Sequence, residues 1–290
     1  MSGGRLLVVV NPNASRAARS LGAATAALFA EGFALDIRPS RGLEEVHDLI
    51  LRESGAADAI VIGGGDGTVS GALPALIEVG RPVGILPLGT ANDLARTLQI
   101  PLDPAAAARV IAAGTRRRID IGRVNGVHFL NVSSIGLAVA ITDHLDPELK
   151  RRLGPLSYAA AALGTLGGAE RFKAAILCDD GRTDVTTYQI TVGNGVHYGG
   201  GARVSATAAI DDGILDIFAI ETASIPELVA MAPALFEGRQ GERDDVRVFR
   251  STGALIETTA PMPVSTDGEI TTETPARYSI IRQALEVFAP

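Results

Sequence analysis

The sequence predicts an α/β domain with a parallel sheet and flanking helices, followed by a second, β-rich domain. Three observations predict it. Short, continuous apolar runs alternate with helix-period segments through the first third of the chain. Those runs stop at loops dense in glycine and small polar residues. From about residue 122 onward strand signals dominate, so the expected domains are 1–122 and 123–290.

Leu6 to Val10 is an apolar run ended by Asn11-Pro12, as suits a parallel strand buried on both faces. Ala17, Leu21, Ala24 and Leu28 then share one helical face. Phe33 to Ile37 reads as the second strand and Leu43 to Arg52 as a helix. Ala59 to Ile62 is the third strand, stopped by Gly63-Gly64-Gly65, and Val69 to Val79 is helical despite Gly71 and Pro74. Val83 to Leu86 is the fourth strand, stopped by Pro87 and Gly89. Helices follow over Asn92 to Leu98 and Pro104 to Ala113. Strands alternating with helices give an open, helix-wrapped parallel sheet. Beyond the boundary, strands are expected at Val127–Ser133, Phe172–Cys178, Tyr188–Val192, Ile214–Ile220, Val246–Phe249 and Arg277–Ile281. Helical patches interrupt them near Pro155–Leu166 and Ile225–Phe236.

Composition narrows the function classes. At 290 residues, 47% of them apolar, the chain can bury a large core. A net charge of −7 argues against nucleic-acid binding, which needs a broad basic surface. The lone Cys178 cannot form an internal disulfide, which fits a reducing compartment and equally a cysteine-poor exported protein. The N-terminus lacks a signal-peptide pattern, and Leu153 to Ala169 is too rich in glycine for a spanning helix. The expectation is a cytoplasmic protein, peripheral to the inner face of the membrane. Arg116-Arg117-Arg118 and Lys150-Arg151-Arg152 could attract anionic headgroups there; the bland alternative is a solvated helix or strand end. The four histidines show no metal-ligand spacing, and the sequence leaves room for a homodimer.

Ligands of open parallel sheets sit beyond the carboxyl ends of the strands. Here those loops are Asn11-Pro12-Asn13, Gly63 to Thr68, and Pro87 to Asp93, which motivates a nucleotide site. In Gly63-Gly64-Gly65-Asp66-Gly67-Thr68 the glycines let backbone N–H groups approach phosphate oxygens, and the next helix offers the positive end of its dipole. Asp66 beside phosphates makes sense with Mg2+ between them or as a proton handler; the bland alternative is a glycine-rich turn with Asp66 as an N-cap. Thr68 could cap that helix or donate to a phosphate. Gly89-Thr90-Ala91-Asn92-Asp93-Leu94-Ala95-Arg96 is a second Gly-Thr junction of the same kind. The spacing fits neither the dinucleotide nor the P-loop pattern.

Asn11-Pro12, Gly64 to Thr68 and Gly89 to Arg96 resemble the diacylglycerol-kinase-type catalytic domain, shared by bacterial lipid kinases, sphingosine kinases and ceramide kinases. The likeness continues through Leu153 to Tyr158, Gly193-Asn194, Tyr198 to Gly201, Asp211 to Asp216 and Asp267-Gly268-Glu269, and so spans nearly the whole chain. The resemblance implies a nucleotide-binding α/β domain and a sandwich-like second domain, with ATP and a lipid hydroxyl held in a cleft between them. It implies that ATP's γ-phosphoryl group passes to a lipid alcohol such as diacylglycerol, in phospholipid biosynthesis. Asn11, Gly63, Gly64, Gly65, Gly67, Thr68, Gly89, Thr90, Asn92 and Asp93 would form the nucleotide site, and Asp66 would organise the Mg2+–ATP phosphates. Asp267 would take the hydroxyl proton, with Glu269 nearby, although related kinases give that role to the Gly-Asp-Gly aspartate, here Asp66. Asp211, Asp212 and Ile214 resemble a structural Mg2+ site.

Two departures stand out. Ser70-Gly71 replaces a common Asn-Glu, and Asn13-Ala14-Ser15-Arg16 replaces a loop with Ser-Gly, leaving Arg16 or Arg19 to meet phosphate. The alternatives are an NAD-kinase-like enzyme acting on a soluble alcohol and a non-catalytic nucleotide- or lipid-binding regulator.

Overall fold

A computed structural model describes residues 3–14, 17–143 and 170–290. The chain forms two compact units: Met1–Ile119 with Gln283–Pro290, and Asp120–Arg282. The division falls three residues before the expected boundary. It also returns the last eight residues, expected in the second domain, to the first unit.

In the first unit, β1 (Arg5–Val10), β2 (Ala34–Pro39), β3 (Ala59–Gly64) and β4 (Val83–Pro87) form a parallel sheet in the order β2-β1-β3-β4. β1, β3 and β4 are buried almost throughout, which is why their sequences are continuous apolar runs rather than alternating ones. The helices are α1 (Ala17–Ala30), α2 (Leu43–Glu53), α3 (Asp66–Val79), α4 (Asp93–Thr97) and α5 (Pro104–Ala113). α1 packs on α5, and α2 on α3. Leu28, Ile50, Leu73 and Leu76 are fully buried, each contributing about 2 kcal/mol of apolar burial. Gly84 sits mid-strand because α5 lies against it: a Cβ there would meet Ile111 Cδ1 at 2.6 Å.

α5 has a complete set of boundary signals. Asp103 caps it by accepting from Ala106 N at 2.8 Å, Pro104 opens it, and left-handed Gly114 ends it. Asp103→Ala is expected to lower stability by about 1 kcal/mol, read as a lower urea midpoint at unchanged slope.

The unit's last strand comes from the far end of the chain. β5 (Arg116–Val124) begins in this unit and β18 (Ala276–Phe288) ends in it. Val287 lies opposite Val83 of β4, and Ala289 N donates to Thr115 O at 3.2 Å. Arg116, expected as lipid-facing or solvated, ion-pairs with Glu286 at 3.2 Å and lies over the Phe288 ring.

The second unit is a β-sandwich. One layer contains the start of β18, β15 (Gly253–Thr258), β8 (Phe172–Cys178) and β9 (Gly181–Thr187), in that order. The other runs β14 (Val246–Ser251), β13 (Leu215–Ile220), β10 (Gln189–Gly193), β7 (Val132–Gly136), β16 (Pro263–Thr266), β17 (Glu269–Glu273), all antiparallel. Ile176, Val185, Ile190, Val192, Ile217, Ile256 and Val264 interdigitate between the layers. The expected strand Val127–Ser133 is broken into β6 (Val127–Phe129) and β7, because residues 130–132 turn to serve the acidic site described below. A helix α6 (Leu137–Asp143) follows β7, and a small hairpin of β11 (His197–Tyr198) and β12 (Ala202–Arg203) follows β10. The Ile225–Phe236 patch is two short helices, α7 (Ile225–Ala230) and α8 (Ala232–Glu237), over a smaller core of Phe218, Leu228 and Met231. The expected helix at Pro155–Leu166 and the basic cluster Lys150–Arg152 lie outside the described residues. No helix among the described residues is long and apolar enough to cross a membrane.

Candidate active site

The carboxyl ends of β1, β3 and β4 bring the three expected loops of the first unit together. β3 extends through Gly63 and Gly64, and α3 starts immediately, with Gly65 as its N-cap and Asp66 as its first residue. Glycine is required here by packing. A Cβ on Gly64 would lie 2.5 Å from Thr68 Cβ, and one on Gly89 would lie 2.4 Å from Gly65 Cα. The two Gly-Thr turns therefore touch backbone to backbone.

Polar side chains lock this contact. Asn11 Nδ2 donates to Thr68 Oγ1 at 3.3 Å, and Asn11 Oδ1 accepts from Asn13 N at 2.9 Å. Asn11 N donates to Gly63 O, and Leu88 N to Gly64 O, both at 2.9 Å. Thr68 is buried and anchors the loop. Asp66 does not cap its own helix: its Oδ1 accepts from Leu94 N at 3.0 Å, in the first turn of α4. One carboxylate thus bridges the first turns of two helices, a position favourable to negative charge.

Asn92 has φ 52°, a left-handed conformation that asparagine tolerates better than most residues. Its Nδ2 donates to Gly89 O at 2.8 Å and its Oδ1 accepts from Gly89 N at 3.0 Å. The carboxamide closes the turn rather than projecting from it, so Asn92 shapes the loop. Asp93 is buried at the head of α4, Thr90 is exposed, Gly67 lies in the first turn of α3, and Arg96 Nε returns to Ala91 O at 3.1 Å. Ser15 and Arg16 lie outside the described residues, as does the Arg19 side chain.

In the second unit, Asp267-Gly268 forms the tight turn between β16 and β17, with φ 48° and 89°. Positive φ at both central residues is the geometry that makes Asp-Gly a favoured hairpin pair. The side chain does more than turn the chain. Asp267 Oδ2 accepts from Leu130 N at 2.8 Å, and Oδ1 accepts from Asn131 N at 2.9 Å and Val132 N at 3.2 Å. Three consecutive backbone N–H groups thus converge on one carboxylate, a charge-assisted arrangement that fixes its orientation. Glu269, next on the hairpin, is exposed.

The residues of the expected structural Mg2+ site lie in one turn. Asp212 Oδ1 accepts from Ile214 N at 3.0 Å, and Oδ2 accepts from Arg250 Nη2 at 2.8 Å. The same guanidinium pairs with Asp216 Oδ1 at 3.2 Å, so one cation is shared between two carboxylates. Asp211 and Ile214 are half-buried in the same turn. Among the described residues no group of three or more His, Cys, Asp or Glu is placed to hold a metal ion.

Leu94 N and the 130–132 N–H groups are backbone donors with no residue signature in the sequence. Asp120, buried in β5, is a further acceptor: its Oδ2 accepts from Gly213 N at 2.7 Å. Its signal in the sequence is a charged residue within the apolar alternation Ile119-Asp120-Ile121.

Residues 5–124 match the family described as "Diacylglycerol kinase catalytic domain", and residues 131–289 match "YegS C-terminal NAD kinase beta sandwich-like domain". The chain is 32% identical to "Probable lipid kinase YegS-like" of Chromohalobacter salexigens, covering 82% of this chain and 78% of that protein. It is 31% identical to "Diacylglycerol kinase" of Mycobacterium tuberculosis, covering 84% and 81%. A crystal structure of a diacylglycerol kinase from Bacillus anthracis superposes with a TM-score of 0.83 at 28% identity, covering 100% of this chain and 98% of the other. An α/β unit with paired glycine turns, joined to a β-sandwich, is thus the architecture of a kinase. The chain belongs to the lipid and diacylglycerol kinase family.

Proposed function

We propose that the chain transfers the γ-phosphoryl group of ATP to the hydroxyl of a lipid alcohol such as diacylglycerol. The observation that carries this reading is the backbone-level junction of the two Gly-Thr turns beyond β1, β3 and β4, bridged by Asp66. Phosphoryl transfer asks the protein mainly for positioning and charge stabilisation. Backbone N–H groups and the N-terminus of α3, a helix of 14 residues, supply both for phosphate oxygens. Asn11, Asn92 and Thr68 hold the turns in shape, and Thr90 and Asp93 belong to the same nucleotide site. ATP is taken as its Mg2+ complex, in which the ion neutralises phosphate charge. Asp66 bears on that complex, and Asp267 accepts the proton of the attacking hydroxyl, with Glu269 on the same hairpin. The acceptor is met at the inner face of a membrane by peripheral contact.

The test is incubation with γ-labelled ATP, Mg2+ and vesicles carrying diacylglycerol, phosphatidylglycerol, ceramide or a sphingoid base, with NAD as the soluble control. Label is expected in one lipid product and not in NADP. Label in NADP alone, or ATP binding with no labelled product, overturns the reading.

A further inference from the structure

We propose that Asn194 is a positioning residue for Asp267, acting through the 130–132 turn. The inference rests on the reading of Asp267 as the base, and it is built from contacts within the second unit alone.

The turn is gripped from two sides. On its N–H side the donors of Leu130, Asn131 and Val132 point at the Asp267 carboxylate. On its carbonyl side, Asn194 Nδ2 donates to Leu130 O at 2.7 Å, while Asn194 N and Gly195 N donate to Asn131 O at 2.9 and 3.0 Å. The second hydrogen on Nδ2 goes to Asp120 O at 3.0 Å, so the same side chain ties the turn to β5. Gly195 leaves space for this grip: a Cβ there would meet Asn131 Oδ1 at 3.0 Å and Asn131 Cα at 3.2 Å. The two peptides that aim the Asn131 and Val132 donors are therefore clamped between residues 194–195 and the carboxylate they serve.

Asn194 is 2% exposed, and among the described residues its Oδ1 has no hydrogen-bond partner, like Oδ1 of buried Asn131. What the side chain contributes is the Nδ2 fork, each hydrogen directed at a main-chain carbonyl.

The experiment compares Asn194→Ala, which removes both donors, with Asn194→Ser, which keeps one. In the Ala variant kcat is expected to fall about 100-fold, as a misplaced reacting group requires. KM for ATP and for the lipid should stay within about twofold, because neither binding surface is altered. Looser N–H donors favour the Asp267 carboxylate less, so the acid limb of the pH–rate profile should move to higher pH in both variants. The Ser variant should fall between parent and Ala. Should Asn194→Ala not fold, Asn194→Ser alone decides through kcat and the acid limb. A kcat per folded molecule and a pH profile equal to the parent's, with only Tm lowered, overturn the proposal. Asp267→Asn measured beside them separates the two ideas: an active Asp267 variant sinks the base reading itself. An inactive Asp267 variant beside fully active Asn194 variants sinks only the positioning role.

Discussion

Asp267→Asn is expected to lower turnover by about 10²- to 10⁴-fold, the range a general base supplies. The substitution suits the question because asparagine, like aspartate, tolerates the φ of 48° at this turn. The hairpin is therefore kept while one accepting oxygen becomes an NH2 group that cannot receive an N–H. At least one of the three bonds from residues 130–132 must be lost, at about 1–2 kcal/mol of stability. Initial rates with labelled ATP, read beside urea unfolding and ATP calorimetry, distinguish the effects: turnover should collapse while ATP affinity holds. Near-parent turnover would pass the base role to Asp66.

Gly89→Ala carries the second large effect. Its Cβ would sit 2.4 Å from Gly65 Cα, 3.0 Å from Asn92 Oδ1 and 3.1 Å from Gly65 N. Backbone cannot yield as a side-chain tip can, so the two turns must part. The expected outcome is about 1–3 kcal/mol of destabilisation and at least about tenfold weaker ATP binding. Gly22→Ala in α1 is the control, because nothing lies within 4 Å of its added Cβ and its φ is not positive. That variant should be stabilised by about 0.5–1 kcal/mol and bind ATP as the parent does. Unchanged ATP affinity in Gly89→Ala would remove these turns from the nucleotide site.

Much of the first unit was legible because its physics is local. Leu6–Val10, Ala59–Ile62 and Val83–Leu86 announce buried parallel strands, and the glycines at their ends announce close backbone approach. The second unit was harder to read. β9, β15, β16 and β17 are short and partly polar on their solvent faces, so they resemble loops until a partner strand is supplied. Three arginines at the start of β5 read as a charged surface run, yet Arg116 is fixed by Glu286 and Phe288 from the other end of the chain. The site divides in the same way. The residue types Asp66, Asn92 and Asp267 could be named from motifs. Their partners could not, because Leu94 N and the 130–132 donors lie 28 to 137 positions away and carry no side-chain signature.

The return of residues 283–290 has a consequence for biogenesis. Val287, Phe288 and Ala289 are almost wholly shielded from water within the unit that residues 1–119 begin. During synthesis the nascent glycine-turn unit therefore waits for its final strand until some 280 residues have been translated, exposing the apolar flank of β4 meanwhile. A fragment ending at residue 119 would inherit that raw edge permanently, and self-association is the fate such an edge invites.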